Sequence, residues 1–304
     1  MNNAHWTAEQ VPDLTGKTVL ITGANSGIGF DAARVLARKG AAVTIAVRDI
    51  GKGADARARI VGEDTNADVA VMRLDLASLA SVHEFAGAFR AAHPRLDLLI
   101  NNAGVMVPPY AKTADGFELQ FGTNHLGHFA LTGRLLDLIL PTKGARVVNV
   151  TSSAHKMGKL DFEDLDWTKR KYSPWRAYGD SKIANIYFTD ELDRRFKAVG
   201  VDVLSASAHP GLAVTDLKRT AGMLVSAIVR VFGQNSAMGA LPTLRAAVDP
   251  RTKGGEYYGP DGFQTMSGYP IVNKKSALAQ NKDIARRLWD VSEKLTGVKF
   301  SFTA

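Results

Sequence analysis

The sequence predicts an α/β fold in which one doubly wound parallel sheet is flanked by helices on both faces. Two observations predict it: short apolar runs alternate with helix-length segments, and a glycine-rich turn separates the first run from the first helix. Six runs have the length and apolar character of buried parallel strands. They span 17–22, 42–47, 69–74, 96–101, 145–150 and 201–206.

The segments between these runs have helical periodicity. They span 27–39, 50–61, 78–92, 115–140, 175–199, 235–248 and 276–295. Two stretches interrupt the alternation, 155–175 and 212–233, and both follow a strand. Because open α/β sheets bind ligands at the carboxyl ends of their strands, we expect substrate-side insertions here. No repeat or linker divides the chain, so residues 1–304 are predicted to form one domain.

Composition excludes several classes of function. The net charge is +8, but the basic residues are scattered among 30 acidic ones, so no nucleic-acid partner is predicted. Cysteine is absent, which removes disulfides, thiolate nucleophiles and cysteine-ligated metals. No metal site is predicted.

Targeting signals are not evident in the sequence. The first 13 residues are polar and lack the apolar core of a secretory signal. The longest nearly apolar stretch, 223–232, contains Arg230 and is too short to span a bilayer as a helix. We therefore expect no integral membrane segment and a cytoplasmic location.

The glycine-rich turn at 22–29 reads T-G-x-x-x-G-x-G. Its glycines permit a tight turn, close approach of backbone N–H groups to a pyrophosphate, and close packing of helix on strand. Between an apolar strand and a helix, this pattern is typical of a Rossmann-type dinucleotide-binding fold. The predicted cofactor-binding residues of the turn are Gly23, Asn25, Ser26, Gly27, Ile28 and Gly29.

The end of the second strand favours NADP(H) over NAD(H). NAD-binding folds usually place an acidic residue here to bind the ribose 2′-hydroxyl, whereas this chain has Val47. Arg48 follows and can pair with a 2′-phosphate. The neighbouring Asp49 leaves a hydroxyl-binding alternative open.

Further cofactor contacts are predicted where the third and fourth strands end. Asp75, followed by Leu76, can accept a hydrogen bond from the adenine amino group, or it can cap the next helix. After the fourth strand, small residues let the chain pass close to a ribose. These residues are Asn102, Ala103 and Gly104.

Tyr178 and Lys182 are four residues apart, which places them on one face of a predicted helix. A phenol ordinarily titrates near pH 10, and an adjacent ammonium favours the phenolate. We therefore expect Lys182 to lower the pKa of Tyr178, so that the phenol can exchange a proton with an alcohol.

Two more polar residues are candidates for the site, one just after a predicted strand and one within a predicted helix. Ser152, just after the fifth strand, can polarise a substrate oxygen, with Thr151 and Ser153 as rivals. Asn124 is a poor residue for the middle of a helix, so a water-binding or proton-relay role is predicted.

These motifs, in this order, resemble the short-chain dehydrogenase/reductase family over residues 15–258, and within it the retinol dehydrogenase-like and protochlorophyllide reductase-like branch. The resemblance implies a catalytic tetrad made of Asn124, Ser152, Tyr178 and Lys182. Lys182 would also hold the nicotinamide ribose. For the nicotinamide side it implies Pro210, Gly211, Leu212, Ala213 and Thr215.

The predicted function is hydride transfer between NADP(H) and the alcohol/carbonyl pair of a small molecule, which we expect to be hydrophobic. The alternative is a catalytically silent NADP-sensing regulatory or scaffold protein of the same fold. The insertion at 155–175 is interpreted as a cleft wall or as the cover of a sheet edge. Residues 212–233 are interpreted as a lid, a core segment or a membrane-surface contact. The resemblance also implies that helices 115–140 and 175–199 can form a homodimer face.

Overall fold

An eight-stranded sheet forms the centre of the protein in a computed structural model that describes residues 5–212 and 234–302. The strand order is β3-β2-β1-β4-β5-β6-β7-β8; every neighbouring pair is parallel except β7 and β8. The strands are β1 (Thr18–Thr22), β2 (Ala42–Val47), β3 (Val69–Arg73), β4 (Leu98–Asn101), β5 (Ala145–Val150), β6 (Val203–Ala208), β7 (Tyr257–Pro260) and β8 (Pro270–Val272).

Helices cover both faces of this sheet, which confirms the predicted doubly wound architecture. They are α1 (Gly27–Arg38), α2 (Ile50–Glu63), α3 (Leu79–Ala92), α4 (Leu119–Phe121), α5 (Gly127–Arg134), α6 (Leu136–Ile139), α7 (Pro174–Ala198), α8 (Ser236–Val248) and α9 (Lys282–Thr296). A π-helical segment, Gly122–Leu126, joins α4 to α5. Short 3-10 turns occur at Ala8–Gln10, Ser153–Met157, Phe263–Thr265 and Leu278–Gln280.

The first strand shows why the sequences of the predicted strands are apolar throughout and do not alternate between apolar and polar residues. Val19 and Ile21 pack into a cluster with α1 and α8, whereas Leu20 between them packs into a second cluster with α3 and α5. All three side chains are fully buried. Because helices cover both sides of β1, both sets of alternate residues must be apolar.

Some ends differ from the prediction, such as that of the last helix, which begins at Lys282 and not at 276, and two differences are larger. The stretch 115–140 is divided into α4, the π-helical segment, α5 and α6, because its hydrogen-bond pattern changes at Gly122 and again at Leu135. Strands β7 and β8 were not predicted. They have four and three residues, both contain proline, and two residues of β8 are exposed, so they give little strand signal.

The strand order determines where on the sheet a ligand can bind. The strand order reverses between β1 and β4, so the loops that follow these strands diverge and leave a crevice at their carboxyl ends. Within residues 5–212 and 234–302, no helix combines the length and apolar content that a membrane crossing requires.

Candidate active site

The glycine-rich turn lies at this crevice, between β1 and α1. A side chain at Gly23, whose φ is +68°, would meet Ala103 Cβ at 2.8 Å, and one at Gly29 would meet Asn102 Nδ2 at 2.4 Å. The turn therefore tolerates only glycine at both positions. Ser26 precedes α1 without a side-chain hydrogen bond to the helix, which leaves the first N–H groups of α1 for another acceptor. Asn25 is partly exposed in this turn, as is Ile28, which also packs on the core.

The chain after β4 is bonded directly to this turn. Thr22 Oγ1 accepts hydrogen bonds from the backbone N–H groups of Asn102 and Ala103, both at 2.9 Å. The Asn102 side chain donates to the Thr22 carbonyl at 2.8 Å. Gly104 then passes close to the π-helical segment and to α7, where an added Cβ would lie 3.1 Å from Asn124 Oδ1 and 3.5 Å from Lys182 Nζ.

At the end of β2, Val47 is buried and Arg48 is exposed. Among the described residues, Arg48 makes no hydrogen bond or ion pair. Asp49 accepts a hydrogen bond from the Lys52 backbone N–H at 3.1 Å and so caps α2. This carboxylate therefore has a structural partner, whereas the guanidinium of Arg48 has none within residues 5–212 and 234–302.

At the end of β3, Asp75 does not cap α3, because that role belongs to Ser78. Instead, Asp75 Oδ1 accepts a hydrogen bond from the Ala77 N–H at 3.0 Å. Leu76 is buried, and its carbonyl oxygen would lie 2.4 Å from a Cβ at Gly127 on α5. The adenine contact of Asp75 stays a prediction.

The structure brings Tyr178 and Lys182 together on α7, with Lys182 Nζ 5.5 Å from the centre of the Tyr178 ring. Lys182 is 3% exposed, and its ammonium donates to the Val150 carbonyl at 3.2 Å. The Lys182 carbonyl accepts the hydroxyl of Thr151 at 2.7 Å. These bonds fix α7 to the end of β5 and leave further ammonium hydrogens for a ligand.

Ser152 has two roles. Its Oγ accepts the Ala154 N–H at 3.2 Å, so it caps the 3-10 turn after β5. The same hydroxyl interacts with the phenol of Tyr178 and acts to lower its pKa. Thr151 is committed to Lys182, so Ser152 is the better placed of the two residues to face a substrate.

The pKa values of Tyr178 and Lys182 differ from what the sequence led us to expect. Burial raises the pKa of Tyr178 to about 12, and this outweighs the opposite effect of Ser152. Burial lowers the pKa of Lys182 to about 8. The predicted lowering of the phenol pKa by Lys182 is therefore wrong for the protein chain itself, because desolvation of the charged form dominates. At neutral pH Tyr178 is a neutral proton donor beside a largely charged ammonium.

Asn124 lies in the π-helical segment, a kind of irregularity that is frequent at functional sites. Its side chain bonds both backbone groups of Val105, at 2.8 and 2.9 Å, and the Ser181 hydroxyl at 2.9 Å. Ser181 in turn donates to the Tyr178 carbonyl at 2.8 Å. The amide is thus occupied by protein partners, and the proton-relay role stays a prediction.

On the nicotinamide side, the structure describes the chain as far as Leu212. Gly211 has φ +69°, and a Cβ there would lie 2.3 Å from the Met266 carbonyl oxygen, which accepts the Leu212 N–H at 2.7 Å. The Pro210 carbonyl accepts the side chain of Gln234 at 2.8 Å. The predicted residues Ala213 and Thr215, like the rest of the insertion at 212–233, lie outside the described residues.

The insertion at 155–175 packs on the helical layer beside α7. Trp167 is 6% exposed, and the Tyr172 hydroxyl donates to Glu118 at 2.9 Å. Tyr110, in the loop after β4, donates to the Asp166 carbonyl at 3.1 Å. These contacts place the insertion against a loop that borders the site, which favours its interpretation as a cleft wall.

Sequence reasoning missed several residues that support the site, because their types are ordinary and their partners are distant in sequence. Gln120 accepts the Val107 N–H at 2.8 Å, and Val107 has φ +55°, a strained value for a β-branched residue. Of these supporting residues, His128 could have been found from the sequence, because it is four residues after Asn124 and therefore shares its helix face.

This fold and this set of side chains define a class of nicotinamide-dependent oxidoreductases. The short chain dehydrogenase family model matches residues 17–223, and the chain belongs to this family. Its similarity to retinol dehydrogenases places it in the retinol dehydrogenase-like branch.

Individual relatives agree with this assignment. Retinol dehydrogenase 12 of Mus musculus is 42% identical over 300 residues, covering 97% of this chain and 90% of that protein. A crystal structure of an uncharacterized protein from Mycobacterium paratuberculosis is 42% identical, with a TM-score of 0.82 and coverage of 98% of this chain and 99% of that one. The Pseudomonas aeruginosa RhlG/NADP active-site complex has the same fold at 24% identity, with a TM-score of 0.65 and coverage of 81% and 94%.

Proposed function

We propose that this oxidoreductase uses NADP(H) to interconvert an alcohol and a carbonyl in a hydrophobic small molecule. The observation that carries the proposal is the convergence of Tyr178, Lys182 and Ser152 at the sheet edge that also holds the glycine-rich turn. A proton donor beside a nicotinamide site is the arrangement that carbonyl reduction requires.

The residues present fit a dinucleotide. The turn excludes any Cβ at Gly23 and Gly29, and the buried Lys182 ammonium has a single hydrogen-bond partner among the described residues. Such an ammonium suits ribose hydroxyls. When bound, the nicotinamide supplies or accepts the hydride.

The preference for NADP(H) rests on the end of β2. Arg48 is exposed without a partner among the described residues, and the nearby Asp49 caps α2. A 2′-phosphate offers the guanidinium a charge-assisted hydrogen bond, which a 2′-hydroxyl does not. RhlG of Pseudomonas aeruginosa, which shares this fold, forms an active-site complex with NADP, and this is consistent with the same choice here.

The side chains then divide the work of carbonyl reduction. Tyr178 holds the proton that the substrate oxygen receives, since its pKa near 12 keeps the phenol protonated at neutral pH. Ser152 donates a hydrogen bond to the same oxygen and polarises the carbonyl. Lys182 stabilises the negative charge left on the phenol after transfer.

An apolar substrate is supported by the loop after β4. Met106, Val107 and Pro108 are partly exposed there, beyond Gly104, which lies next to Lys182. The name of the mouse relative, retinol dehydrogenase 12, points to an apolar alcohol as well. Retinal and other hydrophobic aldehydes are therefore the first substrates to test.

The test is NADPH and NADH consumption across hydrophobic aldehydes, ketones, quinones and steroids, with Tyr178→Phe as the matched variant. We expect NADPH-linked turnover by the wild type and a loss of about 10²- to 10⁴-fold in the variant, with NADPH binding retained. Tight NADPH binding without turnover in the whole panel would replace this proposal by the cofactor-sensing alternative.

A further inference from the structure

A buried histidine joins the glycine-rich turn to the π-helical segment that carries Asn124. His128 on α5 is 1% exposed. Its Nδ1 lies 3.0 Å from the Asn124 carbonyl oxygen, and its Nε2 lies 2.8 Å from Thr22 Oγ1. The same Thr22 hydroxyl accepts the backbone N–H groups of Asn102 and Ala103. Four chain segments therefore meet at one imidazole and one hydroxyl.

The partners determine where the hydrogens lie. A carbonyl oxygen only accepts, so His128 Nδ1 carries the ring hydrogen toward Asn124. Nε2 is then an acceptor, and the Thr22 hydroxyl donates to it while its oxygen accepts the two N–H groups. This arrangement satisfies every polar atom of the group. Burial, together with the charge of Lys182, lowers the pKa of His128 to about 4, so the ring stays neutral at working pH.

Both ends of this connection lie at the site. Thr22 ends β1 and precedes Gly23 of the cofactor turn. Asn124 reaches Tyr178 through the Ser181 hydroxyl, with distances of 2.9 and 2.8 Å. The imidazole therefore sets the spacing between the turn that would bind the pyrophosphate and the helix that carries the proton donor.

We propose that His128 is a positioning residue, which holds the Asn124 main chain and the Thr22 hydroxyl in the one arrangement that aligns cofactor and proton donor. The proposal rests on the proposed function, because alignment has an effect on rate only if hydride transfer occurs. A misplacement of about 1 Å at such a site costs on the order of 10²-fold in rate.

His125 provides a matched control. It lies in the same helical stretch, is equally buried at 1% exposed, and has one ring nitrogen 2.8 Å from the Ser292 hydroxyl on α9, away from the crevice. Replacing either histidine by leucine removes a neutral, buried, hydrogen-bonded ring. Among the described residues, only the His128 change removes a hydrogen bond to Thr22, which precedes Gly23 of the cofactor turn.

The experiment compares His128→Leu with His125→Leu for turnover and NADPH affinity, each per mole of folded protein. We expect His128→Leu to lower kcat by about 10- to 100-fold and to weaken NADPH binding by about tenfold, whereas His125→Leu changes both less than about threefold. Equal effects of the two variants would reduce His128 to a general packing role and overturn the proposal.

Variants of Thr22 cover the case in which His128→Leu does not fold. Thr22→Ser keeps the hydroxyl and should behave like wild type, whereas Thr22→Val should lose NADPH affinity and turnover as His128→Leu does. Equal behaviour of Thr22→Ser and Thr22→Val overturns the proposal.

Nitrogen-15 NMR of the histidine rings gives a readout that does not need turnover. The Nδ1–H tautomer is expected for His128, and the Nε2–H tautomer overturns the proposal whatever reaction the protein catalyses. An inactive wild type with the expected tautomer and with weakened NADPH binding in His128→Leu contradicts the proposed function alone.

Discussion

Arg48 and Asp49 show how adjacent residues at one strand end can have different roles. The carboxylate of Asp49 is used by the helix that follows, where it accepts the Lys52 N–H, and its ion pair with Lys52 is exposed at 3.8 Å. Arg48 has no such partner among the described residues. The sequence left both residues as candidates for ribose recognition, and the capping bond favours Arg48.

We expect Arg48→Gln to raise the Kd for NADPH by about 10- to 100-fold while changing the Kd for NADH little, because one charge-assisted hydrogen bond to phosphate is lost. Fluorescence titration of both cofactors measures this. As a control, Asp49→Asn should leave the NADPH/NADH ratio unchanged. A parallel loss for both cofactors in Arg48→Gln would place Arg48 outside the 2′-phosphate site.

The pH dependence of catalysis follows from two residues. Tyr178 stays protonated across the neutral range, so alcohol oxidation, which needs a proton acceptor, should speed up as pH rises. Reduction should slow as pH rises through about 8, where Lys182 loses its charge. In Lys182→Arg the fall should move to higher pH, since guanidinium stays charged. A reduction profile that is identical in both proteins would contradict this assignment.

At the scale of elements, α5 begins directly after the π-helical segment and approaches the chain that follows β3 closely. Gly127 begins α5 and leaves 2.4 Å between an added Cβ and the Leu76 carbonyl oxygen, which is backbone and cannot move aside cheaply. The preceding segment carries Asn124. The position of the π-helical segment thus depends on the absence of a side chain at Gly127, one residue after it.

We expect Gly127→Ala to lower the free energy of unfolding by about 1–3 kcal/mol, as overpacking in a core does. Gly87→Ala in α3 is the matched control, because a Cβ there meets nothing within 4 Å, and it should stabilise the protein by about 0.5–1 kcal/mol. Urea unfolding of both variants decides the question. A neutral Gly127→Ala would show that α5 can shift without cost.

At the scale of the whole molecule, the parallel part of the sheet was predictable because its strands are buried on both faces and flanked by helices. The boundaries of β2 and β5 were predicted to the residue. Strand β8 was not predictable, because it is short and half exposed at a sheet edge. Lys182, Tyr178 and the glycine-rich turn have sequence spacings that chemistry requires. The hydrogen bonds that Gln120 and Gln234 make could not be predicted in this way, because they join segments that are distant in sequence and meet only in the folded chain.

Buried histidines with lowered pKa values, among them His125, His128 and His209, predict loss of stability in acid. Burial lowers the pKa of His125 to about 3, of His128 to about 4 and of His209 to about 3, against about 6.5 when unfolded. Between these values the unfolded chain binds more protons, so the free energy of unfolding falls as pH drops below about 6.5. Asp180, whose pKa burial raises to about 7, acts in the opposite direction between about 4 and 7.

A variant isolates one of these contributions. Relative to wild type, His125→Gln should have an unfolding free energy that falls less steeply with acid, by up to about 1.4 kcal/mol per pH unit below pH 6.5. Urea unfolding at pH 5, 6 and 7 measures the difference at each pH. A constant difference across these pH values would mean that His125 titrates normally in the folded protein.

The cytoplasmic location and the homodimer remain predictions.

Gln234 has a consequence for how this protein and its relatives can vary. Its backbone N–H meets the Leu212 carbonyl at 2.8 Å, while its side chain bonds the Pro210 carbonyl and the Gly268 N–H. Leu212, which follows β6, and Gln234, which precedes α8, are thus linked by a direct backbone hydrogen bond. We expect insertions between Thr215 and Gln234 to leave these hydrogen bonds in place, so length differences among homologues should concentrate there and not at the predicted cofactor residues Ala213 and Thr215.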